Sequence, residues 1–238
     1  VNDLVEIYDY LSEDESNYTN QNICILDPLP IEIKSELTIS QRCTLFHDFK
    51  RLESLSFDIY GKYFQKYFEP DVDPGEVGKF LTEFLFDRIT SIEVGNVSGA
   101  LAANLGLASR LNSIEKDYPY GSIILTQDYF DLPPLKRLGT LIHEARHSDE
   151  DASIIDPSFE YHHSHTGHVE CRVATTRPIE NGPSINHIGC DRDLSGPYGF
   201  EAIFYGNVLD NCNNCYQNIS KESMRRYQTR QAYNNALG

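Results

Sequence analysis

One helix-forming segment constrains the fold of this chain more than any other. It opens with an acidic and proline-rich run at residues 131–134, which is typical of a helix N-terminus. Apolar residues then recur at three- and four-residue spacing, the periodicity of an amphipathic helix; they are Leu135, Leu138, Leu141, Ile142 and Ala145. The same segment contains His143, Glu144 and His147 in the pattern H-E-x-x-H. The sequence therefore predicts a packed helix that carries two histidines one turn apart.

The spacing of His143 and His147 favours a metal site. Residues four apart on a helix share one face, so both imidazoles can reach a single ion. Glu144 points about 100° away from His143, a direction that can bring its carboxylate to a reacting water. Two imidazoles, a metal ion that acidifies water and a carboxylate that accepts the proton are the parts of metal-assisted hydrolysis. We expect one Zn²⁺ per chain on the two histidines, with Glu144 as the general base.

A solvated helix face followed by a polar loop is the other interpretation of this segment. Against it, seven of the eight histidines lie between residues 143 and 187. The polar stretch at residues 149–197 also has no regular pattern, and so long a stretch is typical of a functional or ligand-organised segment.

A β-type run at residues 120–126, followed by the H-E-x-x-H helix, resembles the zincin metallopeptidases. The resemblance covers residues 118–210 and depends mostly on the motif itself. In zincins the strand before the helix is the edge of a sheet that pairs with an extended substrate. The resemblance thus implies that residues 121–126 form an edge strand and that a protein or peptide binds to it by strand addition. The His-Glu-Ala-Arg-His wording also resembles uncharacterised bacterial secreted proteins with the same motif.

The third zinc ligand is open, because this chain departs from the pattern of each zincin clan. Glu150 and Ser153 stand where a metzincin has glycine and histidine. His168 follows a flexible glycine and precedes Cys171, and we expect it to be the third ligand. Glu201, a gluzincin-like residue on a following helix, is the first alternative. The other candidates are His165, His187, Asp191 and Asp193.

Two further residues are candidates for roles at the site. Tyr198 lies in a Gly-Pro-Tyr-Gly turn, from which its phenol can stabilise an oxyanion, although packing is the alternative role for any one of 15 tyrosines. Arg146 is expected to pair with Asp149 or Asp191 and to steady the end of the helix, without a catalytic role.

The rest of the chain predicts a helix-rich α+β protein. Apolar periodicity predicts one long helix, or two in series, between residues 40 and 68. Asp73 and Pro74 are an N-cap and first-turn pair for the next helix. Residues 95–112 are mildly helical, and residues 199–208 are helical again.

The domain organisation follows from the change in pattern near residue 40. Residues 1–39 are acidic and irregular and are interpreted as an N-terminal arm. Residues 40–238 are interpreted as a single zincin-like domain, with a small sheet whose edge strand precedes the active-site helix.

Composition narrows the classes of partner. The chain has 20 Lys and Arg residues against 36 Asp and Glu residues, which gives a net charge of −16. Because so acidic a surface repels phosphate backbones, nucleic acid is not an expected partner. No apolar run is long enough to span a membrane. The start at Val1, without an apolar leader, leads us to expect that a targeting segment has been removed.

The cysteines favour an oxidising compartment. There are six, and they fall into three pairs that are close in sequence. The simplest pairing joins Cys24 to Cys43, Cys171 to Cys190, and Cys212 to Cys215. Free buried thiols in a cytosolic protein are the alternative. We expect a secreted or periplasmic protein.

These observations predict a zinc metalloendopeptidase that hydrolyses peptide bonds. The first alternative is a non-catalytic secreted or surface binding protein that retains a zincin scaffold. A toxin-like effector that cleaves one protein is another. A redox role for Cys212 and Cys215 is disfavoured, because no β-α-β pattern surrounds them. The sequence does not indicate an oligomeric state.

Overall fold

The fold consists of helices around a small mixed sheet, an α+β architecture that is rich in helix. The computed structural model describes residues 24, 28–29, 31–97, 100–105, 119–149, 169–170, 188–191 and 194–215. The helices of this part are α1 (Ile39–Glu53), α2 (Lys62–Phe68), α3 (Val77–Arg88), α4 (Gln127–Phe130), α5 (Pro134–His147) and α6 (Pro197–Asn211). The strands are β1 (Glu32–Ile33), β2 (Ser91–Val94), β3 (Ala102–Asn104), β4 (Ser122–Leu125), β5 (Val169–Glu170) and β6 (Ile188–Cys190).

The first half of the described chain forms helices where apolar periodicity predicts them. Two helices in series, α1 and α2, occupy the stretch between residues 40 and 68. Thr38 and Gln41 close a capping box at the start of α1, in which each side chain bonds the backbone N–H of the other. Pro74 begins a 3-10 turn that leads into α3, and Asp73 is its extended N-cap but makes no side-chain cap hydrogen bond.

The four-stranded sheet has the order β1-β2-β4-β3. The pairs β1–β2 and β2–β4 are parallel, whereas β3 is antiparallel to β4, with Ala103 opposite Ile124. The strand predicted at residues 121–126 is confirmed as β4, but its prediction as the edge strand is wrong, because β4 lies between β2 and β3. The edge next to α5 is β3. The mild helical pattern predicted for residues 95–112 is wrong at residues 102–104, since the alanines of β3 carry little periodic signal, and residues 106–112 lie outside the described residues.

The helices pack so that α5 lies at the centre, against α1, α3, α6 and β3. A stack of phenylalanine rings holds α6 against α2 and α3. The ring of Phe68 on α2 lies 4.4 Å from that of Phe64 and 4.7 Å from that of Phe200 on α6. Phe84 on α3 stacks on Phe200 and also contacts the ring of Phe68. Such aromatic contacts bury large apolar areas, so they fix where the first turn of α6 lies.

A buried ion pair joins α1 to α5. Asp48 accepts two hydrogen bonds from Arg137, at 2.7 and 2.9 Å, in the bidentate arrangement that guanidinium groups favour. Both side chains are nearly inaccessible to solvent. Arg137 also donates to the carbonyl of Leu132, just before α5 begins.

Two of the three expected disulfides lie in the described part, and both are present: Cys24–Cys43 and Cys212–Cys215. Cys171 lies outside the described residues, so its pairing with Cys190 stays a prediction. The boundary of the N-terminal arm also stays a prediction, although Glu32 and Ile33, inside that arm, supply the first strand of the sheet. Among the described helices, none has the length and apolar character needed to cross a bilayer.

Candidate metal centre

Helix α5 is buried around almost its whole circumference. Pro134 sits in its first turn, where the missing N–H costs nothing, and all of its residues except Pro134 and Arg146 are buried. His143, Glu144 and His147 are 7%, 4% and 6% exposed. The interpretation of the motif as a solvated helix face is therefore wrong. Polar side chains buried to this degree need partners, which makes the contacts of the three residues informative.

The two histidines face each other through the same ring nitrogen. Nε2 of His143 lies 3.3 Å from Nε2 of His147, and the ring planes are 74° apart. Two nitrogens on a tetrahedral zinc, each about 2.0–2.1 Å from the ion, are about 3.3 Å apart. The separation in the structure is thus the one that a shared zinc ion requires.

Glu144 completes the candidate cluster. Its carboxylate and the two imidazoles offer ligand atoms that lie within 4.8 Å of one another, a group that could hold a metal ion. One of its carboxylate oxygens, Oε2, is buried and accepts no hydrogen bond from the described residues. An ion or a reacting water beside this oxygen would supply the partner that its burial calls for.

The surroundings of Glu144 disfavour its charged form. Burial raises the pKa of the Glu144 carboxyl to about 8, and the negative charge of Glu201 acts in the same direction. A backbone hydrogen bond from Asn104 acts the other way. Asn104 ends β3, and its side chain also donates to the backbone carbonyl of Glu144, at 3.1 Å, and to Ser148. Hydrogen bonds from Asn104 therefore join the edge strand β3 directly to the motif helix α5.

Glu201, an alternative for the third ligand, lies close to Nδ1 of His143, the ring nitrogen that does not face His147. Its Oε2 is 3.4 Å from Nδ1 of His143, and the side chain is 1% exposed. The hydroxyl of Tyr205, one turn further along α6, donates to Glu201 Oε1 at 2.8 Å. Glu201 thus contacts the nitrogen that does not face His147.

Gly139 sets how closely α6 approaches α5. A Cβ at this position would overlap with the phenol oxygen of Tyr205, because Tyr205 lies directly over the glycine backbone. Tyr205 and Glu201 are both fully buried between the two helices. A glycine one turn before His143 is therefore what allows the Tyr205–Glu201 pair to reach that histidine.

Asp191, another alternative ligand, caps the N-terminus of α6. Its Oδ2 accepts a hydrogen bond from the backbone N–H of Gly199 at 2.9 Å. The N-cap of α6 is Gly196, which has no side chain to cap the helix, and Asp191 supplies the carboxylate from outside the helix. A Cβ on Gly196 would overlap with this carboxylate. Asp191 is thus fully buried as a cap.

Tyr198 lies beside the histidine pair. It belongs to the first turn of α6, and its ring meets the ring of His143 edge to face, with 4.5 Å between the centroids. It is partly exposed, unlike the motif residues. This position leaves both roles of Tyr198, packing and contact with a reacting group, compatible with the structure.

Arg146 steadies the C-terminal end of the motif helix, as its sequence position predicts. Nη1 of Arg146 donates to Asp149 at 2.7 Å, and Nε donates to the backbone carbonyl of Ser195 at 2.7 Å. Arg88 on α3 donates to the other oxygen of Asp149 at 2.6 Å. The guanidinium of Arg146 also covers the ring of Phe200. These contacts join the end of α5 to α3 and to the turn before α6.

The remaining ligand candidates are not part of the described structure. His168, the expected third ligand, and the alternatives His165, His187 and Asp193 all lie outside the described residues. The structure thus brings together His143, Glu144, His147 and Tyr198, and it places Glu201 behind His143. Comparison with protein-family models, curated proteins and solved structures finds no match to this chain.

Asn104 and Tyr205 are residues of the site that were not predicted from the sequence. Asn104 comes from a segment without a clear pattern, so no sequence signal pointed to it. Tyr205 stands four residues after Glu201, on the same helix face, and that spacing could have suggested the pair.

Proposed function

We propose that this chain is a zinc-dependent metallopeptidase of zincin type. The observation that carries the proposal is the 3.3 Å separation of two buried Nε2 atoms, with the carboxylate of Glu144 beside them. Buried imidazoles whose ring nitrogens face each other are a donor set that zinc favours. A bound zinc ion would acidify a water molecule and polarise a substrate carbonyl.

The residues of the chain are proposed to bind the metal, to transfer the proton and to stabilise the developing negative charge. His143 and His147 are metal ligands, and His168 is proposed as the third. Glu144 is the general base, which takes a proton from the attacking water and passes it to the leaving amine; the positive charge of a bound zinc ion would favour the carboxylate form that this role needs. Its Oε2, which accepts no hydrogen bond from the described part of the chain, is the oxygen available for this transfer. Tyr198, in contact with the His143 ring, is proposed to donate a hydrogen bond to the substrate oxygen as negative charge develops there.

The edge strand β3 supports a protein or peptide as the substrate. In the described sheet β3 pairs with β4 on one side only, so its other edge can accept an extended chain. Asn104, at the end of this strand, makes the backbone hydrogen bond to the Glu144 carboxylate. A peptide paired with β3 would therefore run past the proposed base.

The two disulfides support a location in an oxidising compartment, outside the cell or in a periplasm. We propose a secreted or periplasmic enzyme on this ground.

Metal content and peptide cleavage test the proposal together. Wild-type protein, purified without chelator or a metal-binding tag, is expected to contain about one zinc per chain by elemental mass spectrometry. His143→Ala should lose the metal. Glu144→Gln should keep it but lose cleavage of a peptide library, because only the base is removed. Glu83→Gln, an exposed glutamate on α3, is the matched control and should retain both properties.

The outcomes separate the enzyme from its alternative. Cleavage that survives Glu144→Gln would refute the assigned base. Zinc without cleavage of any library peptide would favour the non-catalytic binding protein. Protein that takes up no zinc, even when zinc is added, would refute the metal site and the enzyme with it.

A further inference from the structure

A pair of residues on α6 lies behind the ring of His143. Glu201 contacts Nδ1 of His143, and Tyr205 donates to the other carboxylate oxygen of Glu201. Nε2 of the same ring faces His147. The two nitrogens of His143 therefore have different neighbours, a carboxylate on one side and the proposed metal position on the other.

This arrangement favours one nitrogen of His143 as the carrier of the proton. A neutral imidazole has one N–H and one lone pair, and a carboxylate beside a ring nitrogen favours the N–H on that nitrogen. Glu201 thus favours the proton on Nδ1, which leaves the lone pair on Nε2, the atom that faces His147. A carboxylate in this position also makes the imidazole a stronger donor to a metal.

The geometry points to Glu201 as the positioning residue of the metal centre, with Tyr205 as its support. Glu201 acts through His143 and is not itself a ligand in this assignment, which replaces its role as an alternative third ligand. Tyr205 fixes the carboxylate because its own ring is locked over Gly139. The inference depends on the proposed zinc site, and it assigns the device that prepares one ligand for the metal.

The first test is the zinc affinity of Glu201→Gln, which keeps the side-chain volume but removes the charge. We expect its zinc dissociation constant, measured by competition with a chelator, to rise about 10- to 100-fold. Tyr205→Phe should weaken binding less, because Glu201 remains. Asp210→Asn, an exposed carboxylate on the same helix, is the control and should bind zinc like the wild type. Thermal unfolding of each metal-free variant shows that the fold is retained.

Two spectroscopic measurements distinguish positioning from ligation and from a purely structural role. Long-range nitrogen–proton NMR of the metal-free protein should show His143 protonated on Nδ1 in the wild type and a mixture of tautomers in Glu201→Gln. The visible spectrum of bound Co²⁺ should keep its band positions in Glu201→Gln, because the set of ligands is unchanged.

Each result decides the inference. Unchanged zinc affinity in Glu201→Gln, or an unchanged tautomer, would overturn it while leaving the proposed enzyme intact. A new Co²⁺ spectrum in Glu201→Gln would overturn it in favour of Glu201 as a direct ligand. Wild-type protein without zinc affinity would refute the proposed function, whereas the tautomer measurement would still decide whether Glu201 sets the state of His143.

Discussion

Replacing Gly139 by alanine tests how closely α5 and α6 approach each other. Helix propensity alone predicts that the change stabilises α5 by about 1 kcal/mol. The added Cβ, however, would overlap with the phenol oxygen and two ring carbons of Tyr205. Forcing extra volume into a packed interior costs about 1–3 kcal/mol. Moving the phenol away from Glu201 would add about 1.5–3 kcal/mol for a buried hydrogen bond to a charged group.

The net expectation is a destabilisation of about 1.5–5 kcal/mol, or a fall in Tm of about 3–20 °C for a chain of this size. Urea unfolding and thermal scans of the metal-free protein measure it. Gly75→Ala is the control, since its Cβ would meet only the Ser56 hydroxyl at 3.9 Å, and its stability should hardly change. Tyr205→Leu should remove most of the cost of Gly139→Ala, because the overlapping atoms are gone. A stabilised Gly139→Ala protein would refute the close approach of the two helices.

Two further predictions concern the interface between α1 and α5. Asp48→Asn should destabilise the protein by about 3–5 kcal/mol in urea unfolding, because it leaves the buried guanidinium of Arg137 without its counter-charge. Asp58→Asn, at an exposed site, is the control, and an equally small effect of both substitutions would contradict the role of the ion pair. His47 has a pKa below its usual 6.5, because of burial and then the charges of Arg51 and Arg137. As pH falls below about 6.5, His47 therefore binds a proton in the unfolded chain before it does so in the folded protein. The free energy of unfolding should decrease over this range, and the stability that neutral His47 contributes should be fully lost below its folded pKa. His47→Gln should flatten this part of the pH profile, and parallel profiles for the two proteins would show that His47 does not contribute.

The local part of the candidate site could be predicted from the sequence. His143 and His147 stand four residues apart on a helix with a clear apolar stripe, and helix geometry alone brings their rings together. Arg146 and Asp149 are also one turn apart, so their ion pair follows from the same rule. The strand β4 and the helix α6 were predicted on the strength of equally local patterns.

The rest depends on contacts between segments distant in the chain. That Glu201 faces Nδ1 of His143 follows from the register of α6 on α5, which is set by Gly139 and by the phenylalanine stack around Phe200. No periodicity in either helix encodes that register. β3 was missed for another reason: alanines are poor strand formers, and their strand conformation comes from pairing with β4.

The edges of the sheet have a consequence for association between copies of the protein. Edge strands expose unpaired backbone groups, and long flat edges recruit other chains and lead to aggregation. Among the described residues, the outer strands of the sheet are only two residues (β1) and three residues (β3) long. So short an edge offers too few hydrogen bonds to hold another copy of the sheet. If the proposed function is correct, a peptide on β3 would likewise be held by few backbone bonds and would leave readily after cleavage. Selectivity among peptides would then come from side-chain contacts beyond the strand.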